Sequence, residues 1–113
     1  MVQVRGLAFL DDGQVAELSA SETLDHVNGE GTYRGYEILT FEDGSTIVSR
    51  FEGEDTLSED GRLAVFEGEF EYIDGSGRFE GIDGEGTHTG RNHMASGVGF
   101  YLDFQGTYTL SPD

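Results

Sequence analysis

The chain has no cysteine and no lysine, and one proline among 113 residues. Without cysteine it forms no disulfide framework, no thiolate nucleophile and no thiolate metal site, so redox chemistry assigns it no compartment. Its basic residues are six arginines, Arg5, Arg34, Arg50, Arg62, Arg78 and Arg91, scattered along the sequence against 23 acidic residues. The formal charge of −17 opposes nucleic-acid binding, because a phosphate backbone has to be met by clustered cations, and it equally opposes an anionic membrane surface. A high-salt cytoplasm or a genome biased toward arginine codons each accounts for such acidity without a basic partner. No apolar run approaches the length that spans a bilayer, and Met-Val-Gln-Val-Arg at the start lacks the apolar core of a signal peptide. These absences lead to the expectation of a cytoplasmic protein with neither nucleic acid nor membrane among its partners.

What is present is glycine, 18 residues of it, and aromatic side chains at 12%, set in alternating runs broken by turn residues. With 113 residues, 35% of them hydrophobic, residues 1–113 are read as a single domain with its own core. Asp43-Gly44 predicts a two-residue hairpin turn, which sets Tyr36 opposite Phe51 and Ile38 opposite Ser49 on one face, and Glu37 opposite Arg50 on the other. Ser58-Glu59-Asp60-Gly61 predicts a four-residue turn that pairs Leu57 with Arg62, Phe51 with Gly68 and Gly53 with Phe66, the aromatic ring covering the bare backbone of the glycine. Gly75-Ser76 and Asp83-Gly84 predict two more hairpins, with Tyr72 opposite Phe79 and Phe79 opposite His88.

Strands are thus predicted over 2–10, 14–18, 31–42, 45–57, 62–74, 77–82, 85–90 and 98–110. Residues 19–28 are predicted as a loop or a brief helical turn capped at Ser21 and carrying His26, and 91–96 as a second loop carrying His93. Eight strands joined by short turns predict an all-β, eight-stranded antiparallel up-and-down β-barrel, since closure removes both unpaired edges and a barrel of that size holds one small ligand. Only one sheet face lines the main core. The expected inner face carries Tyr36, Ile38, Ile47, Phe51, Phe66, Phe70, Tyr72, Phe79 and His88. The other, with Glu37, Arg50, Glu52, Glu67, Glu69, Glu71, Arg78 and Glu80, is expected in water, where charge is readily hydrated. That second face also holds a small apolar group of Leu39, Phe41, Val48 and Ile73.

Gly-Thr-Tyr-Arg-Gly-Tyr-Glu at 31–37, Phe-Glu-Asp-Gly-Ser-Thr at 41–46, Phe-Glu-Gly-Glu-Phe at 66–70 and Gly-Ser-Gly-Arg-Phe-Glu-Gly-Ile-Asp-Gly-Glu-Gly-Thr at 75–87 resemble the allene oxide cyclase-like barrel superfamily. That group shares its calycin-like fold with plant allene oxide cyclases, dirigent proteins, bacterial spirotetronate cyclases and small bacterial proteins. The resemblance covers roughly residues 29–110 and implies the barrel. It carries over no branch-specific catalytic motif.

Tyr36, Ser49, Tyr72 and His88 supply the few polar groups a small-molecule cavity needs, and Ile38, Phe51, Phe66, Phe70 and Phe79 its apolar wall. His88, Tyr36 and Tyr72 are the candidate catalytic residues, donating or accepting a proton while the wall folds a largely apolar substrate for a cofactor-free isomerisation or cyclisation. The same residues also suit the plain role of filling a narrow barrel. Glu37, Arg50 and Glu69 form an alternative charged site if their face lines the core, and otherwise an exposed ion-pair row worth roughly 0.2–1 kcal/mol per pair. No metal or cofactor is expected. His26, His88 and His93 match no local zinc spacing, no EF-hand loop is present, and the glycines over 75–86 precede no helix that would present amides to a phosphate. Two other functions fit the same chain: a non-catalytic carrier in the manner of lipocalins, and an assembly module whose Leu39, Phe41, Val48 and Ile73 pack against a second copy. A homo-oligomer is compatible with all three.

Overall fold

Among the described residues seven strands follow one another: β1 Val2–Phe9, β2 Val15–Val27, β3 Glu30–Thr40, β4 Thr46–Leu57, β5 Leu63–Ser76, β6 Asp83–His93 and β7 Phe100–Thr109, with a 3-10 turn, Gly77–Phe79, between β5 and β6. The computed structural model describes residues 2–27, 30–59, 63–93 and 100–110. Among the described residues the strands form one antiparallel up-and-down sheet in sequence order, with β1 and β7 as its two edges and no pairing between them. A flat sheet of seven strands spans about 29 Å at 4.8 Å per step. The molecule measures 52 × 23 × 22 Å, so the sheet is rolled about its long axis without closing into a barrel.

The segment 77–82, expected as a strand, is a turn, and this brings the strand count to seven. Gly77 and Gly81 adopt φ of 63° and 82°, and the N–H groups of Glu80 and Ile82 donate to the carbonyls of Gly77 and Phe79 at 3.2 and 3.0 Å. This winding lays Phe79 and Ile82 over the end of the sheet, where both are buried and Phe79 meets Phe41 with ring centroids 4.8 Å apart. In the opposite sense, β2 runs on through the segment expected as a loop, paired with β3 from Glu17 opposite Thr40 to Val27 opposite Glu30. The burial of β3 against a neighbour outweighs the weak helix signal at Ser21. Residues 28–29, 60–62 and 94–99, on which parts of the expected loops and turns fall, lie outside the described residues.

The turns at 10–14 and 41–45 share one geometry. Leu10 N–H donates to Gln14 O and Gly13 N–H to Leu10 O; Phe41 N–H donates to Ser45 O and Gly44 N–H to Phe41 O, all at 2.9–3.0 Å. Gly13 and Gly44 are left-handed, with φ of 90° and 86°. Asp12 and Asp43 each accept the backbone N–H two residues on, at 3.0 and 2.9 Å. Each is therefore a three-residue loop ending in a left-handed glycine, where a two-residue Asp43-Gly44 turn was expected. The difference of one residue sets Tyr36 opposite Arg50, Glu37 opposite Ser49 and Ile38 opposite Val48. A slip of one residue exchanges the faces. Tyr36 and Ile38 consequently stand in solvent, 54% and 41% exposed, while Leu39 and Phe41 are buried. Between β4 and β5 the offset from expectation is two residues, with Leu57 opposite Ala64 and Phe51 opposite Phe70, and an even offset leaves the faces unchanged.

At the turn-bearing end Ala8, Ala16, Leu39, Phe41, Ile47, Phe79 and Ile82 form the packed core. Arg78, expected on a strand, sits on the 3-10 turn and fastens this end together. Its guanidinium pairs with Asp43 at 3.2 Å, donates to the Gln14 side chain, and lies over the rings of Phe41 and Phe79 at 4.9 and 4.7 Å. Its backbone N–H donates to Ser45 Oγ at 3.1 Å. One side chain thus links the β1–β2, β3–β4 and β5–β6 turns across the rolled sheet. Because the left-handed region is costly for a residue with a Cβ, Gly44→Ala is expected to lower unfolding free energy by about 1–2 kcal/mol. Gly6→Ala, where nothing lies within 4 Å of an added Cβ, is expected to stay within about 0.5 kcal/mol of wild type in the same urea titration.

Candidate functional site

The registers arrange the core-face side chains in transverse rows. Next to the packed end runs a polar row, Ala20, Glu37, Ser49, Tyr72, Gly84 and Tyr108; then Glu22, Gly35, Phe51, Phe70, Gly86 and Gly106; then Leu24, Tyr33, Gly53, Gly68, His88 and Phe104. Large rings lie over glycines of neighbouring strands. A Cβ on Gly53 would collide with the Tyr33 ring, one on Gly86 with the Phe70 ring, and one on Gly35 would sit 3.0 Å from Phe51 Cζ. The expected packing of aromatic over glycine is therefore present with other partners: Gly53 lies under Tyr33, and Phe66 faces Asp55.

Two bare glycines, Gly53 and Gly68, separate Tyr33 from His88 in their row, and the two side chains meet over them in a hydrogen bond between Tyr33 Oη and His88 Nε2. Around His88 stand Tyr33, Phe51, Phe66 and Phe70, with ring centroids at 5.8, 6.2, 6.4 and 6.5 Å. Only 7% of His88 is exposed. Burial lowers its pKa and raises that of Tyr33, to which the charges of Asp55, Glu22 and Glu67 add, so both groups are neutral at ordinary pH. The candidate catalytic residue His88 is thus enclosed by rings, with a partner that sequence reasoning missed. The alternation of 31–37 combined with the correct loop length places Tyr33 opposite Gly53, which is the signal that would have found it.

The polar row is different in kind. Glu37 is partly buried between the apolar rows of Leu39 and Ile47 on one side and Phe51 and Phe70 on the other, facing the fully buried Ser49. Burial alone pushes its pKa up to about 7. Tyr72 follows Ser49 in the row, and its pKa is raised by burial, then by Tyr108 and Glu37. The rings of Tyr72 and Tyr108 meet across Gly84 at 6.0 Å, and Tyr108, on edge strand β7, is 49% exposed. A carboxyl with no cation paired to it among the described residues thus shares its row with two phenols, the second at the open rim of the sheet.

The remaining expected site residues are dispersed. Ser49, Phe51, Phe66, Phe70 and Tyr72 share the core face with Glu37 and His88, whereas Tyr36 and Ile38 are on the solvent face, and Phe79 is off the sheet at its packed end. Glu37, Arg50 and Glu69 are not brought together: Arg50 is on the solvent face, ion-paired with Glu71, and Glu69 faces Glu52 on that same side. The solvent face carries two open depressions of about 630 and 960 Å3, walled by rows that include Arg34, Glu52 and Glu69 and floored by strand backbone. Among the described residues no group of three or more His, Asp or Glu is placed to hold a metal ion, and no helix is long and apolar enough to cross a membrane. The side chains of His26 and His93 lie outside what is described.

No protein-family model, no curated protein and no solved structure matches this chain. The resemblance to allene oxide cyclase-like barrels accordingly rests on the sequence patterns alone.

The position of Glu37 has a consequence for stability. Its pKa is about 7 in the folded chain against 4.5 as the reference value. The folded state therefore holds a proton that the unfolded state has released, and stability falls as pH rises from 4.5 to 7. The full span is about 3 kcal/mol. Subtracting the urea-unfolding profile of Glu37→Gln from that of wild type is expected to isolate this fall; a difference that is flat over the interval contradicts the placement.

Proposed function

We propose that the chain binds a small, largely apolar molecule against the core face at the β7 rim, and that Glu37 exchanges a proton with it in a cofactor-free isomerisation or cyclisation. The observation that carries the reading is the Glu37 carboxyl, set beside Ser49 and Tyr72 and between the Leu39–Ile47 and Phe51–Phe70 pairs, with no cation paired to it among the described residues. Near neutral pH such a group is present in both protonation states, the condition under which one residue serves as acid and base. Protonated Glu37 gives its proton to one atom of the ligand, and its carboxylate takes one from another, so the ligand is rearranged with no net change in protons. Ser49 and Tyr72 are positioned to orient the polar end of the ligand, and Phe70, Phe104, Tyr72 and Tyr108 to hold the apolar part. His88 serves the reading as a structural group, holding Tyr33 over Gly53.

The glycine and aromatic patterns that resemble allene oxide cyclase-like barrels support the same class of chemistry. A closed eight-stranded barrel is not required, because the polar row reaches solvent along an open edge. A cytoplasmic setting suits the reading, which needs neither disulfide nor membrane.

The test is binding of the neutral fluorophore N-phenyl-1-naphthylamine. Tyr108→Ala is expected to weaken it about tenfold, equivalent to ~1.4 kcal/mol, and Tyr36→Ala, on the opposite face, to leave it unchanged. No binding by wild type, or equal loss in both variants, refutes the site. Deuterium exchange from solvent into the α-carbon of bound ketones then separates an isomerase from a carrier, the former losing exchange in Glu37→Gln while keeping affinity.

A further inference from the structure

Strand β1 differs from every other strand in charge. Each of β2 to β7 carries at least one carboxylate, whereas β1, Val2–Phe9, has none, and its one charge is Arg5. It is also an edge, with no strand paired to its outer side among the described residues. On its solvent face Leu7 and Phe9 are 59% and 72% exposed, the latter opposite Val15, which is exposed as well. Edge strands of natural proteins are commonly blunted by inward charges, proline or bulges. β1 has no proline, and its register with β2 is unbroken from Val2 to Phe9. On the core side, Gly6 has nothing within 4 Å of where a Cβ would stand, and Ala8 is small, so no bulky group obstructs a neighbouring strand.

We propose that β1 pairs antiparallel with β1 of a second copy of this chain about a two-fold axis at Leu7, joining two sheets into one. Opposed residues in an antiparallel pair share a face, so a same-face joint requires partners whose numbers sum to an even value. A joint centred at Arg5 would set the two arginines against each other. Centring at Leu7 sets Leu7 against Leu7 of the partner subunit and brings Arg5 over Phe9 of the partner subunit, a cation beside an aromatic face. The charge pattern favours a second copy as the occupant. A basic partner is drawn to β2 through β7, where the carboxylates are, and gains nothing at a strand whose only charge is positive. Two molecules that each carry −17 approach with least repulsion along the strand that has no carboxylate of its own, the nearest on that face being Glu17 of β2, opposite Leu7. The inference is independent of the proposed small-molecule site, since Leu7 and Phe9 lie on the other face and at the other edge from Tyr108.

The absence of cysteine makes the joint directly testable. In Leu7→Cys the introduced thiols stand opposite each other, with Cβ atoms about 4.5–5.5 Å apart, and mild oxidation is expected to give a disulfide-linked dimer. Gln3→Cys, offset from its counterpart by eight residues or about 26 Å, is expected to stay unlinked. Sedimentation of the wild-type chain is expected to show a concentration-dependent rise from 12.3 kDa to a plateau at twice that mass. The rise should strengthen in 1 M NaCl, where repulsion is screened, and should be absent in Leu7→Glu/Phe9→Glu with an unchanged circular dichroism spectrum. A mass fixed at that of one chain, a dimer that survives the double substitution, or association weakened by salt overturns the proposal. So does a mass that climbs without plateau, the mark of head-to-tail pairing of β1 with β7.

Discussion

Everything on the core face depends on the length of one loop. Phe41 and Ser45 close a three-residue turn because Gly44 takes a left-handed conformation at φ 86° while Asp43 holds the following N–H. That choice sets Glu37 and Leu39 on the inner side of β3 and Tyr36 and Ile38 on the outer. With a two-residue turn the same sequence would put Glu37 beside Arg50 in water and two large apolar side chains inside. The loop thereby decides whether Glu37 is desolvated. Its twin at Leu10 to Gln14 shows that acid-Asp-Gly is a local code for this turn here, and Arg78 ties both loops to the 3-10 turn.

Packing across glycines is the second organising feature. A side chain on one strand normally touches those on the next, but Gly53 and Gly68 leave a gap that Tyr33 and His88 span, and Gly84 leaves another that Tyr72 and Tyr108 span. Rings laid along the sheet cover bare backbone and let a narrow roll close over a small number of side chains. The same device builds an inert polar contact in one row, where both groups are neutral and enclosed. In the other row it builds a line of ionisable oxygens that reaches the rim. The solvent face carries the cost of acidity, with Glu52 opposite Glu69, Glu54 opposite Glu67 and Glu71 opposite Glu85, each like-charge pair destabilising at ordinary salt. β1 stands outside that pattern, which is why it is the natural place for two such molecules to meet.

The sequence made the all-β class, the antiparallel up-and-down order and most turn positions legible, because glycine, aspartate and strict alternation act locally. Phe51, Phe66, Phe70, Tyr72 and His88 share one face as their alternation predicts, since the two-residue offset between β4 and β5 preserves parity. Tyr36, Ile38 and Glu37 stand on the faces opposite to expectation because the two- and three-residue forms of the turn share the dipeptide Asp-Gly. The 77–82 segment alternates like a strand, yet two left-handed glycines and the burial of Phe79 and Ile82 under Arg78 turn it into a cap, an outcome set by tertiary contacts. Nothing local signals that Tyr33 would reach His88 across three strand intervals.

The central claim, that the Gly44 loop carries Glu37 into an apolar layer where it holds a proton near neutral pH, is tested most directly by NMR titration of the Glu37 side-chain carboxyl. The account predicts a midpoint of about 7. A midpoint at the ordinary 4.5 of a hydrated glutamate would contradict it, returning Glu37 to water and removing the site.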